Sequence, residues 1–127
     1  MRSHVMLAAL AALSLLLPGP LSADEPAVLD VTAFANPDGT YGFNVTVTHR
    51  DEGWSHYADK WEVIGGSDNR VLGTRTLYHP HVDEQPFTRT LSHVEVPIGV
   101  TQVTVRAYCN TTGVGARTFT VTLPPRK

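Results

Sequence analysis

Cysteine is almost absent from this sequence: Cys109 is the single cysteine among 127 residues. A lone cysteine cannot form a disulfide within the chain, so the fold has to be stabilised by the packing of its core. An excess of positive charge is also missing, because 12 acidic residues outnumber 10 basic ones. The sequence therefore lacks the basic surface that proteins use to bind nucleic acid or anionic membranes.

Long apolar runs are confined to the N-terminus. Arg2 gives a positive start, residues 5–17 are apolar apart from Ser14, and Leu21-Ser22-Ala23 offers a small-residue cleavage site. This pattern is typical of a signal peptide, and the run is too short to span a bilayer. We expect residues 1–23 to be removed, leaving an exported, periplasmic or secreted protein without a membrane span. No cysteine lies near the expected cleavage site, which argues against a lipid anchor there.

Helical periodicity is missing from residues 24–127, which instead contain short runs of alternating apolar and polar residues. The clearest run, Tyr41 to Arg50, places Phe43, Val45 and Val47 on one face. Turn residues such as Pro37-Asp38-Gly39 separate these runs. Seven runs in about a hundred residues predict one all-β domain, a seven-stranded antiparallel sandwich.

We expect the strands to lie between about residues 27 and 124, because strand boundaries inferred from sequence are uncertain by a few residues. The apolar faces of the runs predict the buried core, which comprises Phe43, Val45, Val47, Trp61, Val63, Val103, Val105, Phe119 and Val121.

Two resemblances to known proteins follow from these patterns. Trp61 on the third strand, flanked by strands of this spacing, resembles fibronectin type III and immunoglobulin-like domains, which implies the sandwich architecture only. The segment Leu77 to Arg89, LYHPHVDEQPFTR, is similar to one in uncharacterised small exported bacterial proteins. This second resemblance implies further histidines in the last hairpin loop, where the chain has Cys109-Asn110-Thr111-Thr112-Gly113.

Residues able to bind a metal are predicted to meet at one end of the sandwich. If successive strands run antiparallel, the connections 51–59, 79–86 and 110–116 share one end. That end collects most of the histidines and the cysteine: His49, His56, His79, His81 and Cys109. Imidazole with thiolate binds copper or zinc, so the pattern predicts that a metal bound at this end is held by His79 and His81. His56 or His49 would be the third ligand, and Cys109 is a further candidate. We expect copper rather than zinc, because a partly exposed, histidine-rich site in an oxidising compartment suits copper.

Other interpretations of the same end of the domain remain open. The histidines could be solvated loop residues, and Cys109 could be a buried apolar residue or a reactive thiol. No Gly-x-Ser-x-Gly motif accompanies Ser55 and His56, so we expect that the protein is not an enzyme. The alternative function is a binding module, in which aromatic residues of this end contact a protein or glycan: Trp54, Tyr57, Tyr78 and Phe87.

Overall fold

The computed structural model describes residues 25–127, so the expected signal peptide and its cleavage site lie outside the described residues. This part of the chain is all-β and forms eight strands. They are β1 (Ala27–Ala35), β2 (Tyr41–Thr48), β3 (Ala58–Gly65), β4 (Arg70–Thr76), β5 (Phe87–Val94), β6 (Gln102–Cys109), β7 (Gly113–Val114) and β8 (Phe119–Thr122). Residues 25–127 contain no helix long and apolar enough to cross a membrane.

The strands form two antiparallel sheets, which confirms the predicted fold class. One sheet has three strands in the order β1-β2-β5. The other has the order β4-β3-β6, and both β7 and β8 pair with β6. The apolar faces of the two sheets enclose a common core, as expected when strands alternate apolar and polar residues.

The strand count exceeds the predicted seven because the chain pairs briefly with β6 before it reaches the last predicted strand. Gly115 donates a backbone hydrogen bond to Ala107 of β6, but Arg117 accepts one from Val28 of β1. The chain thus leaves β6 for β1 over a few residues and returns to β6 at Phe119. A short strand, β7, consequently lies within the segment predicted to be a hairpin loop.

The core contains most of the residues predicted to be buried. Trp61 and Phe43 are its largest fully buried side chains. Five valines predicted for the core are buried as well: Val45, Val47, Val63, Val103 and Val105. Phe119 and Val121 are only half-buried, which corrects the prediction for β8. The reason is that β8 pairs with β6 alone and therefore lies at the edge of its sheet.

Three connections meet at one end of the sandwich, as the antiparallel pattern predicts. The β2–β3 connection is joined to the β6–β7 turn, since Asn110 donates a backbone hydrogen bond to Tyr57 over 3.1 Å. The β4–β5 connection is joined to the same region, because Leu77 donates one to Asp59 over 2.9 Å. Side chains from these connections are therefore held close together.

Candidate metal centre

The side chains of His49, His56 and Cys109 converge at this end of the sandwich. His49 follows the last residue of β2, His56 lies in the β2–β3 connection, and Cys109 is the last residue of β6. One potential ligand atom from each side chain lies within 4.8 Å of the other two. Among residues 25–127, this is the one group of three or more metal-binding side chains that meets this spacing.

Cys109 is buried and surrounded by hydrogen-bond donors. Its Sγ lies 3.2 Å from the hydroxyl oxygens of both Thr111 and Thr112. The backbone N–H groups of the same two threonines donate to Sγ over 3.4 Å. Burial raises the pKa of the thiol, but these four donors stabilise the thiolate and outweigh it, so that the pKa falls to about 6. Cys109 is therefore ionised at neutral pH, which is the form that binds metals.

His49 is held rigidly by a neighbouring carboxylate. Its Nδ1 lies 2.5 Å from Oδ1 of Asp51, and both side chains are fully buried. A carboxylate accepts hydrogen bonds, so Nδ1 carries the proton in this pair. The backbone N–H of His49 donates to the Gln85 side chain over 3.0 Å, which fixes the end of β2 against the β4–β5 connection.

His56 has a similar carboxylate partner, but in an exposed position. Nδ1 lies 2.8 Å from Oε1 of Glu52, whose side chain is 59% exposed. The other ring nitrogen, Nε2, is buried and has no hydrogen-bond partner among the described residues. The hydrogen bond to Glu52 raises the pKa of His56; burial opposes this rise and the nearby Cys109 thiolate adds to it. The His56 ring meets the His49 ring edge to face, with centroids 4.8 Å apart.

The loop that carries His56 is fixed by main-chain contacts. Gly53 adopts a φ of +110°, which favours glycine, and the turn is closed by a 2.8 Å hydrogen bond from the N–H of Glu52 to the carbonyl of His56. Asn110 then binds the loop on both sides of His56. Its Oδ1 accepts from the N–H of Tyr57 over 2.9 Å, and its Nδ2 donates to the carbonyl of Trp54 over 3.0 Å. The residue after Cys109 thus positions His56.

His81 lies near these residues, but its ring contacts Phe87 and Arg89. Its ring is buried and stacks on Phe87 with centroids 4.0 Å apart. Arg89 donates to its Nε2 over 2.8 Å, and since arginine is only a donor, His81 is the tautomer protonated at Nδ1. Burial, followed by the charge of Arg89, lowers the pKa of His81. The backbone N–H of His81 donates to Oδ2 of Asp51 over 2.7 Å.

His79 lies on the surface beside His81. The two ring centroids are 4.6 Å apart, and Nδ1 of His79 lies 3.1 Å from the carbonyl oxygen of Pro80. Neither His79 nor His81 belongs to the converging group described above. Ligation of a metal by these two histidines stays a prediction, whereas His49, His56 and Cys109 are brought together.

The aromatic residues at this end of the sandwich differ in solvent exposure. Trp54 and Tyr78 are 66% and 73% exposed, whereas Phe87 is buried beneath His81. Tyr57 is half-buried and packs edge to face against Trp54, with centroids 5.6 Å apart. Their use for binding a protein or glycan stays a prediction.

Sequence reasoning did not identify the residues that surround the ligands. Asp51, Glu52 and Asn110 orient the histidines, and the hydroxyl groups of Thr111 and Thr112 contact the sulfur. The available signal was proximity in sequence, because an acid two residues after a histidine or a threonine after a cysteine can reach it locally. Polar residues of this kind commonly orient the ligands of metal sites.

The donor set fits a single transition metal ion. Zinc and copper bonds to nitrogen and sulfur are about 2.0–2.3 Å long, which places the ligand atoms of one site about 3.3–4 Å apart. The separations of up to 4.8 Å in the protein require the three side chains to approach by about 1 Å. A cation between them would be stabilised by the thiolate of Cys109 and by Nε2 of His56, which is buried without a hydrogen-bond partner among the described residues.

The chain is similar to two known proteins, although no protein-family model matches it. It is 40% identical over 97 residues to a protein named "Putative lipoprotein" from Halomicrobium mukohataei, a match that covers 76% of this chain and 47% of that protein. The chain thus spans about half the length of that relative. Family membership among fibronectin type III or immunoglobulin domains stays a prediction.

The second similarity is to a solved structure with the same fold. This structure is a superoxide reductase (neelaredoxin) from Archaeoglobus fulgidus in the reduced form, with a TM-score of 0.53 and 13% identity. The match covers 87% of this chain and 97% of the reductase, and at this identity it shows the fold alone. It nevertheless overturns the prediction that the protein is not an enzyme. That prediction relied on the missing hydrolase motif, and the fold is one that an enzyme of a different reaction class uses.

Proposed function

We propose that the protein is an exported redox metalloprotein that binds one transition metal ion through His49, His56 and Cys109. The observation that carries this proposal is the convergence of a buried cysteine and two histidines within 4.8 Å, brought together from the β2–β3 region and the end of β6. The sulfur of Cys109 is surrounded by four donors and lies beside Nε2 of His56, a buried nitrogen for which residues 25–127 supply no hydrogen-bond partner within normal distance. A bound cation would compensate both groups.

Copper is the metal that this ligand set favours. Two histidines and one cysteine are the ligands of trigonal copper sites that transfer electrons, and hydrogen bonds to the cysteine sulfur tune their redox potential. The four donors around Cys109 would have this effect here. Structural zinc more often has four protein ligands in a closed site, and the converging group has three.

A redox reaction is the chemistry that such an ion would supply. The protein with the same fold is named a superoxide reductase and was solved in its reduced form, which supports one-electron exchange with a small oxidant as the activity. The residues of this chain would hold the ion near the surface, because the His56 side chain is 15% exposed and its partner Glu52 is 59% exposed. A small molecule could reach the site along this side, whereas His49 closes the inner side.

Export fits both the sequence and the relative. The N-terminal apolar run has the features of a signal peptide, and the relative from Halomicrobium mukohataei is named a lipoprotein. The proposed location is periplasmic or extracellular, where an oxidising environment favours copper in the higher oxidation state.

Metal binding can be tested on protein purified from its native compartment without a histidine tag. Elemental analysis should find about one equivalent of copper, and titration of the metal-free protein should saturate at one equivalent. The variants His56→Ala and Cys109→Ser should lose the site, and Cys109→Ser should also lose any sulfur-to-metal absorption. His93→Ala is the matched control, because His93 contacts Asp38 and is 71% exposed.

The same titration decides between the ligand sets. If the double variant His79→Ala, His81→Ala binds copper as tightly as the wild type, these histidines are not ligands. If the double variant loses the ion and His56→Ala keeps it, the proposed ligand set is wrong. Selective uptake of zinc or iron would correct the choice of metal and keep the site.

A further inference from the structure

A second feature of this end of the sandwich is a fully buried carboxylate, that of Asp51. It accepts three hydrogen bonds. Oδ1 accepts from Nδ1 of His49 over 2.5 Å and from the N–H of Ala58 over 2.9 Å, and Oδ2 accepts from the N–H of His81 over 2.7 Å. The three donors belong to three segments: the end of β2, the start of β3 and the β4–β5 connection. Asp51 therefore joins all three.

A carboxylate suits this position better than a neutral side chain. Burial of a charge is costly unless the group is fully hydrogen-bonded, and here both oxygens are occupied. Asparagine has one acceptor oxygen, so its amide nitrogen would face either the imidazole or the N–H of His81, and two donors would oppose each other. The site thus uses a negative charge to hold three donors at once.

We propose that Asp51 is the positioning residue of the metal centre and that it links the His79-Pro80-His81 segment to the ligand His49. Asp51 keeps the proton of His49 on Nδ1, so that Nε2 is the nitrogen directed to the metal. Its second oxygen fixes the backbone at His81, and this segment supports the site without supplying a ligand. This inference rests on the proposed function for the identity of the ligands.

Side-chain contacts hold the β4–β5 connection in place around His81. The His81 ring stacks on Phe87 and accepts a hydrogen bond from Arg89, and Arg89 donates to Oε1 of Glu84 over 3.0 Å. Gln85 completes the connection, since it donates to the His81 carbonyl over 2.9 Å and accepts from the N–H of His49. The β4–β5 connection is thereby attached to His49 by two routes, through Asp51 and through Gln85.

The Glu52–His56 pair can be compared directly with the Asp51–His49 pair. It has the same chemistry, a carboxylate on Nδ1 of a ligand histidine, but Glu52 is 59% exposed whereas Asp51 is fully buried. Water can replace an exposed acceptor at little cost, and it cannot do so inside the core. The inference therefore predicts unequal effects of removing the two carboxylates.

The experiment compares Asp51→Ala, Asp51→Asn and Glu52→Ala with the wild type, using copper titration and nitrogen NMR of the histidine rings in the metal-free proteins. Asp51→Ala should weaken copper binding by about 10–100-fold, as removal of such partners does in other metal sites. Glu52→Ala should weaken it by no more than about threefold, because water replaces the lost acceptor. Asp51→Asn should lie between them, because its single oxygen can still accept from His49.

NMR of the metal-free protein tests the inference without any ion. The wild type and Glu52→Ala should show His49 protonated at Nδ1, and Asp51→Ala should lose this preference. If wild-type His49 carries its proton on Nε2 alone, or if Asp51→Ala leaves both the tautomer and the copper affinity unchanged, the inference is overturned. If Asp51→Ala does not fold, Asp51→Asn and the wild-type spectrum still decide it. Failure of the wild type to bind any metal would refute the proposed function. The tautomer of His49 in the metal-free proteins would still show whether Asp51 positions that ring.

Discussion

Asn110 and Tyr57 bind each other through two hydrogen bonds: the N–H of Asn110 donates to the Tyr57 carbonyl over 3.1 Å, and Oδ1 of Asn110 accepts from the N–H of Tyr57 over 2.9 Å. These residues directly follow Cys109 and His56. The pair therefore sets the separation between the sulfur and the imidazole, although neither residue is a candidate ligand.

Replacement of Asn110 by alanine should loosen the centre. Asn110→Ala removes the side-chain hydrogen bonds to Tyr57 and Trp54 and keeps the backbone one. Since both lost bonds are exposed, we expect the free energy of unfolding to fall by only about 1 kcal/mol. Copper affinity should fall as well, because the His56 loop is no longer fixed. Urea unfolding and metal titration measure the two effects.

Asn110→Asp is the control for this prediction. Aspartate keeps the acceptor for the N–H of Tyr57 and loses only the donor to Trp54. It should therefore retain most of the stability and affinity. Equal copper affinities in Asn110→Ala and the wild type would show that the Asn110 side chain is not needed to position the His56 loop.

The thiol of Cys109 should titrate near pH 6 in the metal-free protein, because its pKa is lowered to about 6. The ultraviolet absorption of the thiolate, with Cys109→Ser as the blank, measures this directly. Thr112→Val removes one hydroxyl donor and keeps the N–H, so the midpoint should move to higher pH. A wild-type midpoint near the ordinary value of 9.0 would refute the prediction.

The same ionisation predicts how stability depends on pH. An acid whose pKa is lower in the folded state stabilises the fold above its unfolded pKa, because the unfolded chain binds more protons between the two values. The contribution of Cys109 is thus complete above about pH 9 and is lost as the pH falls to about 6. The difference in unfolding free energy between wild type and Cys109→Ser should follow this trend. A difference that is constant between these pH values would contradict it.

The two tryptophans should report on the metal differently. Trp54 is 66% exposed and lies two residues before His56, whereas Trp61 is fully buried in the core. Bound copper should quench the emission of Trp54 strongly and that of Trp61 weakly, because it binds beside the loop that carries Trp54. Fluorescence titration of Trp54→Phe should therefore show little quenching. Strong quenching in that variant would place the ion elsewhere.

Gly115→Ala should destabilise the fold through β1. A Cβ atom at this position would lie 1.9 Å from the carbonyl oxygen of Pro26, which is main chain and cannot rotate away. We expect a loss of about 1–3 kcal/mol, the usual cost of overpacking. Thermal unfolding measures it, with Val114→Ala as the control because Val114 is 47% exposed. Equal melting temperatures for the two variants would contradict the close packing of the segment between β7 and β8 against Pro26.

The sequence determined the fold class and the end of the domain that carries the candidate centre. Alternation of apolar and polar residues has the period of a strand, so the valines of β2 and β6 indicated their buried faces directly. Antiparallel strands place alternate connections at opposite ends, and this rule assigns His49, His56, His79, His81 and Cys109 to one end, where three of them converge.

Which of these side chains meet depends on the folded arrangement of the connections. His81 is buried near His49, yet it is turned toward Arg89 and Phe87, and nothing in the spacing of His79-Pro80-His81 reveals that direction. Proximity in sequence indicates the contact of Asp51 with His49, two residues away, but it does not indicate the hydrogen bond from His81, which lies 30 positions along the chain. Strands have a period that fixes where side chains point, whereas connections have none. The direction of a loop side chain depends on contacts that exist only once the two sheets have packed.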